Sequence, residues 1–186
     1  MNTTIKSIVL AAATLLPFAG SANEPTSVPN NGLYINATDY TFKVITLGFD
    51  NADKGYQISD NRWNNTVKVQ QPENKFVLSL TGVWGERKND KDYRFFNGDA
   101  YKVEYANGLF VYSKPETYSD GRTSYTVNNY YFSSSATTEI QTLDITELHE
   151  TFKENPALAS KLDEVQEVEN PLLKAQKLIS IYVQNQ

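Results

Sequence analysis

The feature that most constrains how this chain folds is a row of turn dipeptides between aromatic segments. Asn97-Gly98, Asn107-Gly108 and Asp120-Gly121 separate these segments. Asn-Gly and Asp-Gly pairs adopt positive φ angles readily, as type I′ turns require, and the twist of such turns matches that of paired strands. We therefore predict an antiparallel meander, with strands over 93–96, 99–105, 109–113 and 122–132.

Alternation of apolar and polar side chains continues outside this region and predicts further strands. It is clear over 66–70 and 76–80, and it also runs from Tyr40 through Phe42 to Val44. After Val44 the apolar set shifts by one position, which favours a β-bulge that re-aims the strand.

Beyond Leu143 the apolar spacing becomes that of α-helices. We expect a first helix that begins at Thr146. Asn155-Pro156 and Asn170-Pro171 each combine an N-cap residue with proline at the first helical position, so each predicts the start of another helix.

These patterns predict the α+β class: an antiparallel β-meander forming a barrel or a sandwich, followed by a helical segment of about three helices. The predicted organisation has a signal peptide, a flexible leader, a β-rich body and a helical tail packed on that body. Their respective bounds are 1–22, 23–31, 32–143 and 144–186.

The first residues have the order of a secretory signal peptide. Lys6 precedes an apolar run from Ile8 to Leu16, and small residues follow up to a predicted cleavage site after Ala22. The run is about half the ~20 residues that a membrane-spanning helix needs, and no later run is long enough. We therefore expect export to the periplasm or the cell exterior. The chain has no cysteine, so it has no lipid-bearing cysteine and no disulfide.

Several short motifs together resemble a group of small exported proteins of unknown function from Gram-negative gut-associated bacteria. The motifs lie at 32–40, 91–97, 130–133, 143–146 and 148–163. The resemblance implies export and a β-rich body with a helical tail, and it carries no catalytic residue with it.

Composition excludes several kinds of site. Without cysteine, and with His149 as the single histidine, the chain has neither thiolate zinc ligands nor a multi-histidine centre. Residues 50–55 resemble a calcium loop, but Ala52 and Lys54 occupy positions that need oxygen ligands. We predict no cofactor and no metal. Nucleic acid is not an expected partner, because the net charge is −5 and the basic residues are scattered.

Catalytic patterns are weak. Glu86, Asp90 and Asp92 lie in one charged stretch and offer carboxyl pairs of the kind that glycoside hydrolysis uses, but such clusters are also common in solvated loops. The sequence contains no G-x-S-x-G motif whose serine His149 could activate as a nucleophile. The sequence therefore predicts that the protein is not an enzyme.

Aromatic residues are the one feature in excess. Tyrosine combines an apolar ring with a polar tip, which suits stacking on sugars or contact with a protein, although aromatics also pack between strands. The candidate ligand-binding residues are Tyr101, Tyr105, Tyr112, Tyr125, Trp84 and Trp63.

We thus predict an exported, non-catalytic binding or accessory protein of the cell envelope that uses an aromatic-rich β face, with a glycan or an envelope protein as partner. One alternative is a protein-interaction module that docks through its C-terminal helices, which requires Leu173, Leu178 and Ile181 to be uncovered. A carboxylate-dependent hydrolase is the weaker alternative.

Overall fold

The computed structural model describes residues 28–61 and 64–185. The predicted signal peptide and its cleavage site lie outside these residues, as do most of the predicted leader and Trp63. The chain divides into two compact units, Met1–Asp90 and Lys91–Gln186.

The first unit contains two small antiparallel groups of strands. In one group, β1 (Asn31–Tyr34) pairs with β2 (Thr46–Phe49) on one side and with β6 (Gly85–Lys88) on the other. The other group has the order β3 (Gln57–Asn61), β4 (Thr66–Gln70) and β5 (Lys75–Ser79). The strands expected over 66–70 and 76–80 are therefore present as β4 and β5.

The predicted strand over 40–44 is wrong, because its first half is helical: α1 spans Ala37–Phe42. The Asn36 side chain accepts a hydrogen bond from the Asp39 N–H at 2.9 Å, and the Asp39 carboxylate accepts one from the Asn36 N–H at 3.2 Å. This reciprocal capping box satisfies two amide donors at the start of the helix and stabilises it against the extended form.

Gly32 in β1 packs closely against residues 45–48. Its φ is +151°, and a Cβ atom built on it would lie 2.0 Å from the Ile45 side chain and 3.0 Å from the Gly48 backbone. No side chain fits that gap, so glycine is required for β1 and β2 to pair.

The second unit contains the predicted meander. Its strands are β7 (Lys91–Phe96), β8 (Asp99–Asn107), β9 (Leu109–Ser119), β10 (Ser124–Ser133) and the short β11 (Gln141–Thr142), and neighbours in sequence are neighbours in the sheet. Asn97 and Gly98 have φ of 49° and 80°, as the type I′ turn requires. The strand order is linear, so of the two predicted arrangements the open, sandwich-like one is present and the closed barrel is not.

Helices follow the strands, which confirms the α+β class. They are α2 (Ile145–Phe152), α3 (Pro156–Ala159), α4 (Asp163–Gln166) and α5 (Pro171–Gln184). Asn155 and Asn170 are the N-caps of α3 and α5, as predicted. Asp144, two residues before the expected start at Thr146, caps α2. The second predicted helix is divided into the single turns α3 and α4.

One face of β9 and β10 forms the core of this unit with the helices. Leu109, Val111 and Phe132 from the strands are buried together with apolar side chains of all four helices. The helical members of this cluster are Leu148, Phe152, Leu158, Val165, Ala175, Leu178 and Ile181, and Leu162, directly before α4, joins them. The opposite face of the same strands is therefore the one that can carry a site.

Candidate functional site

The register of β9 and β10 places tyrosines on the face that the helices do not cover. Tyr112 lies opposite Tyr131, and Tyr118 lies opposite Tyr125. Directly opposed residues in antiparallel strands project to the same side, and alternate residues along each strand share that side. Tyr101 of β8 joins this face, since its ring contacts those of Tyr112 and Tyr131. We call these five residues the tyrosine face.

The inner end of the tyrosine face is buried and hydrogen-bonded. Tyr112 is fully buried, and its hydroxyl accepts a hydrogen bond from the buried Arg94 guanidinium at 2.9 Å. That hydroxyl lies 3.0 Å from the Ser133 Oγ, which donates to the Ser135 carbonyl. The Tyr112 proton is thus directed at Ser133, and burial raises the pKa of Tyr112. This end is a scaffold rather than a contact surface.

Charged side chains follow in the middle of the same face. The Lys114 Nζ lies 2.9 Å from an Asp99 carboxylate oxygen and 3.2 Å from one of Glu116. The same ammonium is 5.3 Å from the centroid of the Tyr101 ring and 5.8 Å from that of Tyr131, within the range of cation–π attraction. Lys114 is therefore held in place by two carboxylates and two rings.

Glu116 accepts several hydrogen bonds on this face. It accepts hydrogen bonds from the hydroxyls of Tyr131 at 2.8 Å and Tyr118 at 3.0 Å, and from the Asn129 amide at 2.7 Å. The Tyr131 bond, with Lys114 and Tyr118, lowers the pKa of Glu116 from 4.5 to about 2. Burial, followed by the bond to Glu116, raises the pKa of Tyr131 to about 12. At neutral pH the pair is a carboxylate and a neutral phenol.

The outer end of the tyrosine face is open to solvent. The rings of Tyr118 and Tyr125 stack with their centroids 5.7 Å apart and their planes 23° apart, yet the two residues are 43% and 59% exposed. They lie near the tip of the two-stranded projection formed by residues 114–129, which we call the hairpin arm. An exposed and ordered aromatic pair of this kind offers a flat apolar surface beside fixed polar groups.

A groove of about 520 Å³ lies beside the arm, where β10, β11 and the start of α5 meet. Glu116, Asn129 and Tyr131 line it from the strands. From the other side it is lined by Thr142, Leu143, Asp144, Glu169, Pro171 and Lys174.

The structure distributes the sequence-predicted binding residues over different environments. Tyr101 and Tyr112 lie on the tyrosine face but are buried, and Tyr125 is its most exposed member. Tyr105 packs against the helical core on the opposite face, because a register shift between Val103 and Tyr105 reverses the alternation. Alternation alone had placed it with Tyr101.

Both tryptophans are separate from this face. Trp84 belongs to the core of the first unit, where its ring stacks on Tyr40 at 4.2 Å and meets Tyr34 edge-on at 6.2 Å. Trp63 lies outside the residues that the structure describes.

Sequence reasoning did not select Tyr118, Tyr131, Lys114, Glu116 or Asn129. The Asp120-Gly121 pair indicated a turn but not this register, since Asp120 and Gly121 as the two central residues would set Ser119 opposite Arg122. The observed turn has Gly121 and Arg122 at its centre, which sets Ser119 opposite Ser124 and Tyr118 opposite Tyr125.

The other candidate residues have structural contacts. Both Asp90 carboxylate oxygens accept hydrogen bonds from the Asn30 amide at 2.7 and 2.8 Å, and Arg87 lies 3.2 Å from one of them. The His149 Nε2 lies 3.0 Å from an Asp163 carboxylate oxygen on the surface. In the part of the chain that the structure describes, no group of three or more histidine, aspartate or glutamate side chains is arranged to hold a metal ion.

None of the helices among the described residues has the length and apolar character that crossing a membrane requires. Comparison of the chain with protein-family models, with curated proteins and with solved structures gives no match.

Proposed function

We propose that this chain is a non-catalytic binding protein of the cell envelope that holds a glycan on the outer part of its tyrosine face. The observation that carries the proposal is the Tyr118–Tyr125 pair, whose rings are stacked yet exposed to solvent. A stacked pair of exposed aromatic rings offers an apolar surface that a ligand can cover, and sugar rings present the flat C–H faces that stack on tyrosine.

The groups beside the pair suit the hydroxyls of a sugar. Glu116 offers carboxylate acceptors, Asn129 has both a donor and an acceptor, and Lys114 offers an ammonium. Their mutual hydrogen bonds fix their positions before any ligand arrives. A binding face that is already ordered avoids much of the entropy cost of binding.

The same geometry does not suit a glycoside hydrolase. A general acid in that reaction needs a raised pKa, whereas the pKa of Glu116 is lowered to about 2. In the charged stretch, Asp90 is engaged by Asn30 and Arg87. These contacts support a binding role over a hydrolytic one.

Docking through the C-terminal helices is also less well supported. Leu178 and Ile181 are buried in the core of the second unit, and of the three residues that this alternative needs only Leu173 is exposed, at 53%.

The test is isothermal titration calorimetry of the full chain with chitooligosaccharides, cello-oligosaccharides and soluble peptidoglycan fragments. We expect one of these to bind, and Tyr125→Ala to weaken that binding at least tenfold. Phe42→Ala is the matched control, since Phe42 is an aromatic residue that is 73% exposed in the first unit. Equal losses in both variants, or no binding to any of the three, would refute the proposal.

Export is tested separately. Cell fractionation of the producing bacterium should recover a chain that begins after Ala22 in the periplasm or the medium. An uncleaved chain in the cytoplasm would contradict the envelope location but not the glycan site.

A further inference from the structure

The outer edge of the hairpin arm is a strand edge with most of its length unpaired. Among the described residues β10 pairs with β9 along its whole length, but with β11 only at Tyr131 and Phe132. After Thr142 the chain leaves the sheet and enters α2, for which Asp144 is the N-cap. The strand position beside residues 124–129 is therefore empty in the described part of the chain.

The backbone groups on this edge are identifiable from the turn. Asp120 donates its N–H to the Thr123 carbonyl at 3.2 Å. Backbone groups of successive residues point to opposite sides of a strand, so the odd-numbered residues of β10 bond to β9. The N–H and C=O groups of Ser124, Thr126 and Asn128 consequently point to the open edge, whereas Tyr130 lies beside the end of β11.

The two edges of the arm differ in how well they are protected from pairing with another strand. On β9, Pro115 removes one outward N–H and is flanked by Lys114 and Glu116. Proline and charged side chains are the usual devices that prevent strand edges from pairing. On β10, residues 123–138 contain no charged residue and no proline. Of the two edges of the arm, as far as the structure describes the chain, the β10 edge is the one that lacks these devices.

We propose that this edge pairs with the same edge of a second copy of the chain, which joins the two arms into one antiparallel sheet. Pairing centred on Thr126 sets Ser124 opposite Asn128 and Thr126 opposite Thr126 of the second copy. These three residues have outward backbone groups, so this register satisfies the open edge on both copies. The uncharged strands bring no like charges together.

Charge at the ends of the paired strands favours a second copy as the occupant. In this register the turn that carries Arg122 reaches the groove beside β10, whose lining has Glu116, Asp144 and Glu169 against the single base Lys174. The Asp120 carboxylate in the same turn accepts hydrogen bonds from the Arg122 and Thr123 N–H groups, so its charge is directed at its own backbone. Each copy thus brings an exposed arginine to the acidic groove of the other.

This inference does not rest on the glycan site. Strand addition occurs in the plane of the sheet, so it leaves the Tyr118 and Tyr125 rings accessible, while Glu116 and Asn129 belong both to the groove and to the proposed glycan site.

The test is sedimentation velocity of the full chain over a hundredfold range of concentration, with two matched proline variants. Thr126 and Thr117 lie opposite each other, and their hydroxyls are 3.0 Å apart. Both have N–H groups that point away from the β9–β10 ladder, but to opposite edges of the arm. We expect a concentration-dependent dimer, which Thr126→Pro weakens at least tenfold and Thr117→Pro leaves unchanged.

A charge exchange tests the register. Arg122→Glu should weaken the dimer, and adding Glu169→Arg in the same chain should restore it. A chain that stays monomeric at every concentration would overturn the proposal, as would a dimer that both proline variants weaken equally or that Thr126→Pro does not affect. Circular dichroism of each variant verifies that the fold is retained.

Discussion

A buried chain of hydrogen bonds runs under the tyrosine face, from Arg94 through the Tyr112 hydroxyl to Ser133 and the Ser135 carbonyl. Tyr112→Phe removes the central hydroxyl and leaves a buried guanidinium N–H with one partner fewer. We expect a loss of about 1–3 kcal/mol in the free energy of unfolding, measured by urea denaturation.

Tyr125→Phe is the control for that substitution, because the same hydroxyl is removed at an exposed position. Its effect should stay within about 0.5 kcal/mol. Equal losses in the two variants would show that the Arg94 network contributes nothing to stability.

The ionisation of Glu116 makes the stability of the folded chain depend on pH. Its pKa in the folded chain, about 2, lies below the ordinary value of 4.5, so its contribution to stability is complete above about pH 4.5 and is lost as pH falls through about 2. Glu116→Gln removes this contribution at every pH. The difference in unfolding free energy between the parent and the variant should therefore be larger at about pH 7 than at about pH 2.5. A difference that is the same at both values would contradict the lowered pKa.

At the scale of elements, α5 is part of the core and not an appended docking device. Leu178 is fully buried, and Leu173 on the same helix is 53% exposed. Leu178→Ala should cost about 2–5 kcal/mol in unfolding free energy, since it leaves a cavity among packed side chains.

Leu173→Ala removes the same atoms from the solvent side of α5, and its cost should stay within about 0.5 kcal/mol. Thermal or urea unfolding of the two variants measures both losses in unfolding free energy. A small loss from Leu178→Ala would mean that α5 does not stabilise the second unit.

The elements that local chemistry determines were the predictable ones. The Asn97-Gly98 turn and the Asn155 and Asn170 caps depend on residues next to each other in sequence, and all are present as expected. The helix α1 was missed because alternation from Tyr40 to Val44 imitates a strand, while the decisive Asn36–Asp39 capping box lies before that stretch.

Long-range register was the part that the sequence did not reveal. The register shift between Val103 and Tyr105 places Tyr105 against the helices, and no residue type in β8 predicts that shift. The polar cluster around Glu116 depends on which residues of β9 and β10 lie opposite each other. Candidate site residues chosen by type alone therefore included Tyr105 and Trp84 and missed Glu116 and Tyr118.

At the scale of the whole molecule, we propose that a glycan binds the exposed outer end of the tyrosine face. The two units offer an internal comparison, since Tyr34 and Tyr40 are buried in the first and Tyr118 and Tyr125 are exposed in the second. A ligand on the proposed site must alter the second pair and leave the first unchanged.

The most direct measurement is nuclear magnetic resonance of the full chain with isotope-labelled tyrosine rings, titrated with chitooligosaccharides, cello-oligosaccharides and soluble peptidoglycan fragments. We expect saturable shifts in the ring signals of Tyr118 and Tyr125 with one of these ligands, while the signals of Tyr34 and Tyr40 stay in place. Ring signals of Tyr118 and Tyr125 that do not move with any of the three, or that move only together with those of Tyr34 and Tyr40, would contradict the proposal.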